Sequence, residues 1–157
     1  MNSKINVELF DKAVAIMEEQ YSFEPWKLTK TGEANFIKNF GEEVGTFFIN
    51  HSYSSGWRFG SNLFSQVYML HKINFMPSNQ EIYKKGYYII GTGLNEDLIV
   101  LNTNLWTIGY LDSDLFYRSK DVEFDDMYVD TGLDLGTFYY RSLIEGDAFY
   151  GRAKDVK

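Results

Sequence analysis

The sequence predicts an α+β domain, and three observations carry that prediction. Apolar residues recur at helical spacing near both ends of the chain. Short aromatic and β-branched runs, punctuated by Gly and Asn clusters, are grouped in the middle. Nothing divides the 157 residues: there is no repeat, low-complexity tract or linker, so residues 1–157 read as a single domain with a central antiparallel sheet flanked by helices.

At the N-terminal end, Ile5, Leu9, Ala13, Ile16 and Met17 recur three and four residues apart, with Glu8, Lys12, Glu18 and Glu19 on other faces. This is the pattern of an amphipathic helix over residues 4–20. Glu24-Pro25-Trp26 reads as a turn, because proline restricts the residue before it. A shorter helix is expected from Glu33 to Phe40, with Thr31 as its cap and Gly41 as its stop. Val44 to Ile49 reads as a strand, and Ser52 to Gly60, containing Trp57 and Arg58, as an exposed turn-rich segment. Residues 65–70 suit either a short helix capped by Ser65 or a strand, and Pro77-Ser78-Asn79 a loop.

The clearest stretch runs from Gly86 to Asp114. Tyr87 to Ile90 form one run, stopped at Gly91-Thr92-Gly93. Leu98 to Leu101 form a second, closed by Asn102-Thr103-Asn104, and Trp106 to Tyr110 form a third. Such runs between Gly and Asn clusters predict antiparallel hairpins. After an acidic segment, Leu135, Phe138, Tyr139 and Leu143 predict a closing helix with Asp134 at its start and Gly146 beyond its end.

Composition narrows the function. Aromatic residues reach 18%, which a ring-rich core explains more simply than an aromatic recognition surface. Cysteine is absent, excluding disulfides, thiolate catalysis and Cys-based zinc sites. The N-terminal residues lack an apolar signal core, and no run approaches a membrane span, so a soluble cytoplasmic protein is expected. Net charge is −7 and unevenly spread: residues 1–86 balance nine acids with nine bases, whereas residues 112–134 hold eight acids against two bases. That field repels nucleic acid phosphates and steers a basic partner.

No catalytic constellation stands out. Asp112-x-Asp114 begins like a calcium loop, but Phe116 and Tyr117 follow where an oxygen ligand and a glycine are required. A looser cation site or a carboxylate pair acting on a glycoside is the enzymatic alternative, set against a simple hydrated acidic rim. His51, read as a turn residue, and His71, read at the end of the helix after Ser65, have no ligand-like spacing. No serine lies in a nucleophile elbow, and Gly91-Thr92-Gly93 lacks the residues of a phosphate loop. Asn50-His51-Ser52 matches a glycosylation sequon by chance. No cofactor or metal is expected, and the chain reads as a binding protein rather than an enzyme.

The segment from Tyr88 to Asn102, followed by Trp106 to Asp114, resembles the SUKH superfamily of cell-wall-assembly regulators and bacterial toxin-immunity proteins. Ile90-Gly91, Asp97, Ile99-Val100-Leu101, and Gly109 with Asp112 and Asp114 take the places of that family's motif, and Phe36 to Gly41 is similar to its helix ending in an aromatic and glycine. The chain departs from the pattern at Thr29 to Gly32, where a proline-led segment is usual, and at Ser113, where a histidine is usual. The resemblance implies an α+β fold and, for bacterial members, an antitoxin of secreted toxins, often nucleases. Its alternative is a regulatory scaffold binding cellular proteins. Candidate partner-binding residues are Trp106, Asp112, Asp114, Asp125 and Asp126, with Tyr128 as an aromatic anchor. Trp106 serves equally well as a core ring.

Overall fold

A computed structural model describes residues 4–22, 24, 27–51, 56–93, 96–118 and 121–146. Helix α1 spans Val7–Glu18, α2 Lys30–Phe40 and α3 Glu42–Asn50, followed by strands β1 Trp57–Phe59 and β2 Asn62–Phe64. Helix α4 Val67–Asn74, a 3-10 turn at Pro77–Asn79 and α5 Gln80–Lys84 lead into β3 Tyr87–Thr92, β4 Leu98–Asn102 and β5 Thr107–Leu111. Helices α6 Ser113–Arg118 and α7 Phe124–Met127 precede β6 Tyr128–Asp130, and α8 Leu135–Glu145 closes the fold. The six strands form one antiparallel sheet in sequence order, so the expected α+β class holds.

The terminal helices and the three central strands fall where periodicity puts them. Asp134 caps α8 by accepting the Thr137 N–H at 2.7 Å, and Gly146 ends it at φ 58°. The cap of α2 is Thr29, which accepts the Gly32 N–H, rather than Thr31, so the helix begins earlier than expected. Residues 67–74 are helical, which settles the ambiguity after Ser65 and leaves His71 inside the helix; Pro77–Asn79 coil into a 3-10 turn rather than a loop.

Two larger expectations also fail. Val44 to Ile49 is helical, not extended. Its β-forming residues were misleading, because Phe40, Val44, Phe47 and Phe48 are all buried and recur at helical spacing. Gly41, at φ 87°, ends α2 and starts α3 within one residue. A Cβ on Gly45 would lie 2.7 Å from the Ile37 Cα, so only glycine lets α3 cross α2 this closely. The exposed turn at Trp57 is instead the edge hairpin β1–β2, with Trp57 and Phe59 fully buried and Arg58 outward. Residues 25, 26 and 52–55, with part of the Pro25 turn and the sequon serine, lie outside the described residues.

The sheet is covered on both faces. Tyr88, Ile90, Ile99, Leu101, Ile108 and Tyr110 face the larger core under α1, α2, α3 and α8. Tyr87, Ile89, Leu98, Val100 and Leu111 face a smaller core under α5, α6 and α7. Much of the aromatic surplus is interior: among the described residues, eight phenylalanines, Trp57, Tyr110 and Tyr139 are buried. Phe10 is the hub, with ring centroids of Phe47 and His51 at 5.0 Å, Phe59 and Phe64 at 5.3 Å, and Tyr139 at 5.8 Å. Most of these pairs meet edge to face, the arrangement that ring quadrupoles favour.

Three buried polar groups tie the layers together. Strand β2 pairs only with Gly91 and Thr92 of β3, so Ile89 lacks a strand partner on that side. The Asn74 amide fills the gap: its Oδ1 accepts the Ile89 N–H at 2.7 Å, and its Nδ2 donates to the Ile89 carbonyl at 2.9 Å. Across the larger core, Tyr110 donates to Asn62 Oδ1 at 3.0 Å, and Asn62 Nδ2 donates to Ser142 Oγ at 2.8 Å. His51 closes α3 onto α1, with Nδ1 2.9 Å from the Phe47 carbonyl and Nε2 2.6 Å from Asp11 Oδ1.

Replacing Asn74 with leucine should lower stability by about 2–4 kcal/mol in urea denaturation, since both Ile89 backbone groups lose buried partners. His71 provides a pH test. Its ring lies 3.9 Å from Phe36 and 5.4 Å from Phe40, and burial lowers its pKa below the ordinary 6.5. Below 6.5 the unfolded chain therefore binds more protons at this position than the folded one. The contribution is complete above that pH and declines as pH falls through the lower folded value. His71→Gln should flatten the decline of the urea midpoint on the acid side relative to wild type.

Candidate functional site

The acidic segment folds as two short helices laid on the smaller core. Leu115, Phe116, Val122 and Phe124 pack inward with buried Met127. Hydrogen bonds then divide the eight carboxylates into two groups. Asp112 Oδ1 accepts the Leu115 N–H at 3.1 Å and starts α6, while its own N–H donates to the Met127 carbonyl at 2.8 Å. Asp130 accepts from Thr107 Oγ1 and from the Gly132 N–H, both at 2.7 Å, and Asp134 caps α8. These three maintain the backbone. Asp114, Asp121, Glu123, Asp125 and Asp126 are exposed. Of these, Asp114 meets Arg118 one turn on at 3.7 Å, with both side chains over three-quarters exposed, so the pair adds little stability.

The candidate residues do not form one patch. Asp112, Asp114, Asp125 and Asp126 share the α6–α7 layer, with Asp112 serving as a cap. Trp106 lies at the other end of β5, about 20 Å away at the rise of an antiparallel strand. It occupies the β4–β5 turn at φ 61°, packs against the larger core, and has Lys4 Nζ 5.0 Å from its ring. Buried Asn102 builds that turn by accepting the Asn104 and Leu105 N–H groups at 2.9 and 3.4 Å. Trp106 is thus a partly buried ring on the larger core, away from the acidic helices.

Tyr128 sits beneath the acidic helices. Its ring covers Gly109, where an added Cβ would approach within 2.3 Å, and it stacks on Phe124 and Tyr87 at 5.2 and 5.4 Å. Burial, reinforced by nearby Asp130, pushes its phenol pKa up. The exposed ring of this layer is Tyr117, 45% exposed, which the sequence reading missed. Its hydroxyl donates to the buried Asn79 Oδ1 at 2.8 Å, and Asn79 Nδ2 donates in turn to the Ile73 carbonyl at 2.7 Å. Asn79 N–H also bonds the carbonyl of Met76, itself 43% exposed. On a helix, Asp114, Tyr117 and Arg118 share a face by three- and four-residue spacing, so the signal was present once the segment is read as helical.

Among the described residues, no three His, Asp or Glu side chains converge into a metal-ligand set, and no helix is long and apolar enough to cross a membrane. The layer thus presents one held aromatic ring together with carboxylates that take no part in capping.

The division of the carboxylates is testable by stability. Asp112→Ala should cost about 1 kcal/mol, as loss of a helix cap does. Asp125→Asn and Asp126→Asn should each stay within about 0.5 kcal/mol of wild type in the same urea titration. In comparison with known proteins, the chain matches no family model, no curated protein and no solved structure.

Proposed function

We propose that the protein is a non-enzymatic binding module of the immunity type, which neutralises a basic toxin domain by covering it. The observation that carries this reading is the segment from α6 to α7, which exposes five carboxylates and, on α6, the anchored ring of Tyr117. Carboxylates that cap helices are committed to the fold, but these five are not. Their field accelerates encounter with a positively charged partner, while a ring already fixed by Asn79 binds with little further loss of side-chain freedom. The resemblance of residues 88–114 to SUKH proteins supports the same reading from the sequence side.

The test compares the wild-type protein with Asp125→Lys/Asp126→Lys as bait in lysate of the source organism. A basic protein should be retained by wild type, released by rising salt, and relieved of its toxicity by wild type in co-expression. Association of the purified pair should slow about 10-fold in the variant at low ionic strength. An unchanged association rate sinks the assignment of this face. Several unrelated partners of moderate affinity would favour a regulatory scaffold instead.

A further inference from the structure

At the opposite edge of the sheet lies a cleft of about 650 Å3 between the end of α1, the β1–β2 hairpin and α8. Ile16, Met17, Tyr21 and Leu143 make it largely apolar, and among the described residues Arg58 is the cation on its wall. Gly60, in the hairpin turn at φ 62°, is pressed so closely on α8 that an added Cβ would lie 2.5 Å from the Ser142 carbonyl oxygen. That contact leaves one rim of the cleft without a side chain.

Arg58 is the unusual member. It projects from edge strand β1 between buried Trp57 and Phe59. Arg118 pairs with Asp114, and Arg141 pairs with Glu145 at 2.6 Å. Among the described residues, the Arg58 side chain has neither an ion pair nor a hydrogen bond. A guanidinium presents paired donors in a planar fork that matches a carboxylate, and ligand sites commonly combine apolar walls with one such group.

We propose that this cleft binds an amphipathic carboxylate, a small organic acid whose apolar body lies along Ile16, Met17 and Leu143 and whose carboxylate takes the Arg58 fork. The site is separate from the acidic helices. Five strand spacings, about 24 Å, divide β1 from β6, so the cleft stands or falls independently of the toxin-binding reading.

The probe is decanoate, with decanol as its uncharged counterpart, titrated into the full chain and followed by amide NMR. Saturable decanoate shifts confined to the amides of residues 16–22, 56–60 and 143 are expected. Arg58→Gln should weaken decanoate about 10-fold, as loss of a charge-assisted pair does, and leave the weaker decanol binding unchanged. Equal binding of decanol and decanoate, or decanoate affinity indifferent to Arg58→Gln, would overturn the proposal. So would shifts that spread over the surface without saturating. Gly146, whose Cα lies 3.3 Å from where a Gly60 Cβ would stand, is followed in the sequence by residues 147–157, which include Phe149 and Tyr150. If decanoate binds only after Phe149→Ser/Tyr150→Ser in the full chain, the cleft belongs to the chain's own end and the proposal fails.

Discussion

Strand β4 has no solvent side, and most of the architecture answers to that constraint. All five residues from Leu98 to Asn102 are buried, alternating between the larger and smaller cores. A sheet enclosed in this way needs a helical layer on each face, with every interior polar group given a partner. Asn74 supplies the pairing that short β2 leaves out at Ile89, and Asn62 links β5 to α8 through Tyr110 and Ser142. Large rings suit the space between layers because each excludes much water for one ordered residue.

The same enclosure explains how the acidic segment became a surface. The smaller core needs apolar cover between β5 and β6, and α6 and α7 provide it through Leu115, Phe116, Phe124 and Met127. Of the positions left exposed on the two helices, Asp114, Tyr117, Arg118, Asp125 and Asp126, three are acids. The fold therefore holds the backbone under these side chains without relying on their charge. A surface of that kind is free to change its charge pattern while the layer beneath stays fixed.

Legibility in the sequence followed the range of the forces. Helix α1, helix α8 and strands β3 to β5 announce themselves because periodicity, caps and turn residues act within a few positions. Val44 to Ile49 misled because valine, isoleucine and phenylalanine favour strands locally, whereas burial of Val44, Phe47 and Phe48 together against α2 selects a helix. Trp57 looked exposed among polar neighbours because its burial depends on α8, far along the chain. At the candidate site, the excess of acid was visible, but the capping duty of Asp112 and the stacking of Tyr128 over Gly109 depend on contacts between elements. The separation of Trp106 from Asp112 was implicit in the strand between them; two ends of one β-strand cannot share a small patch.

Helices α1 and α8 lie side by side and point the same way: Asn6 meets Thr137, Lys12 lies over Tyr140, and Ile16 borders the same cleft as Leu143. Parallel neighbours at the two ends of a chain cannot be joined by a short turn, so the whole sheet is threaded between them. On the ribosome, α1 is complete long before its partner exists. At about 5–20 residues per second, the face of α1 that α8 will cover waits roughly ten seconds for residues 135–145 to be made. Throughout that interval Ala13 and Met17 belong to an amphipathic helix with an incomplete socket. A chaperone that recognises short apolar helices would find its target in α1 rather than in the strands synthesised in between.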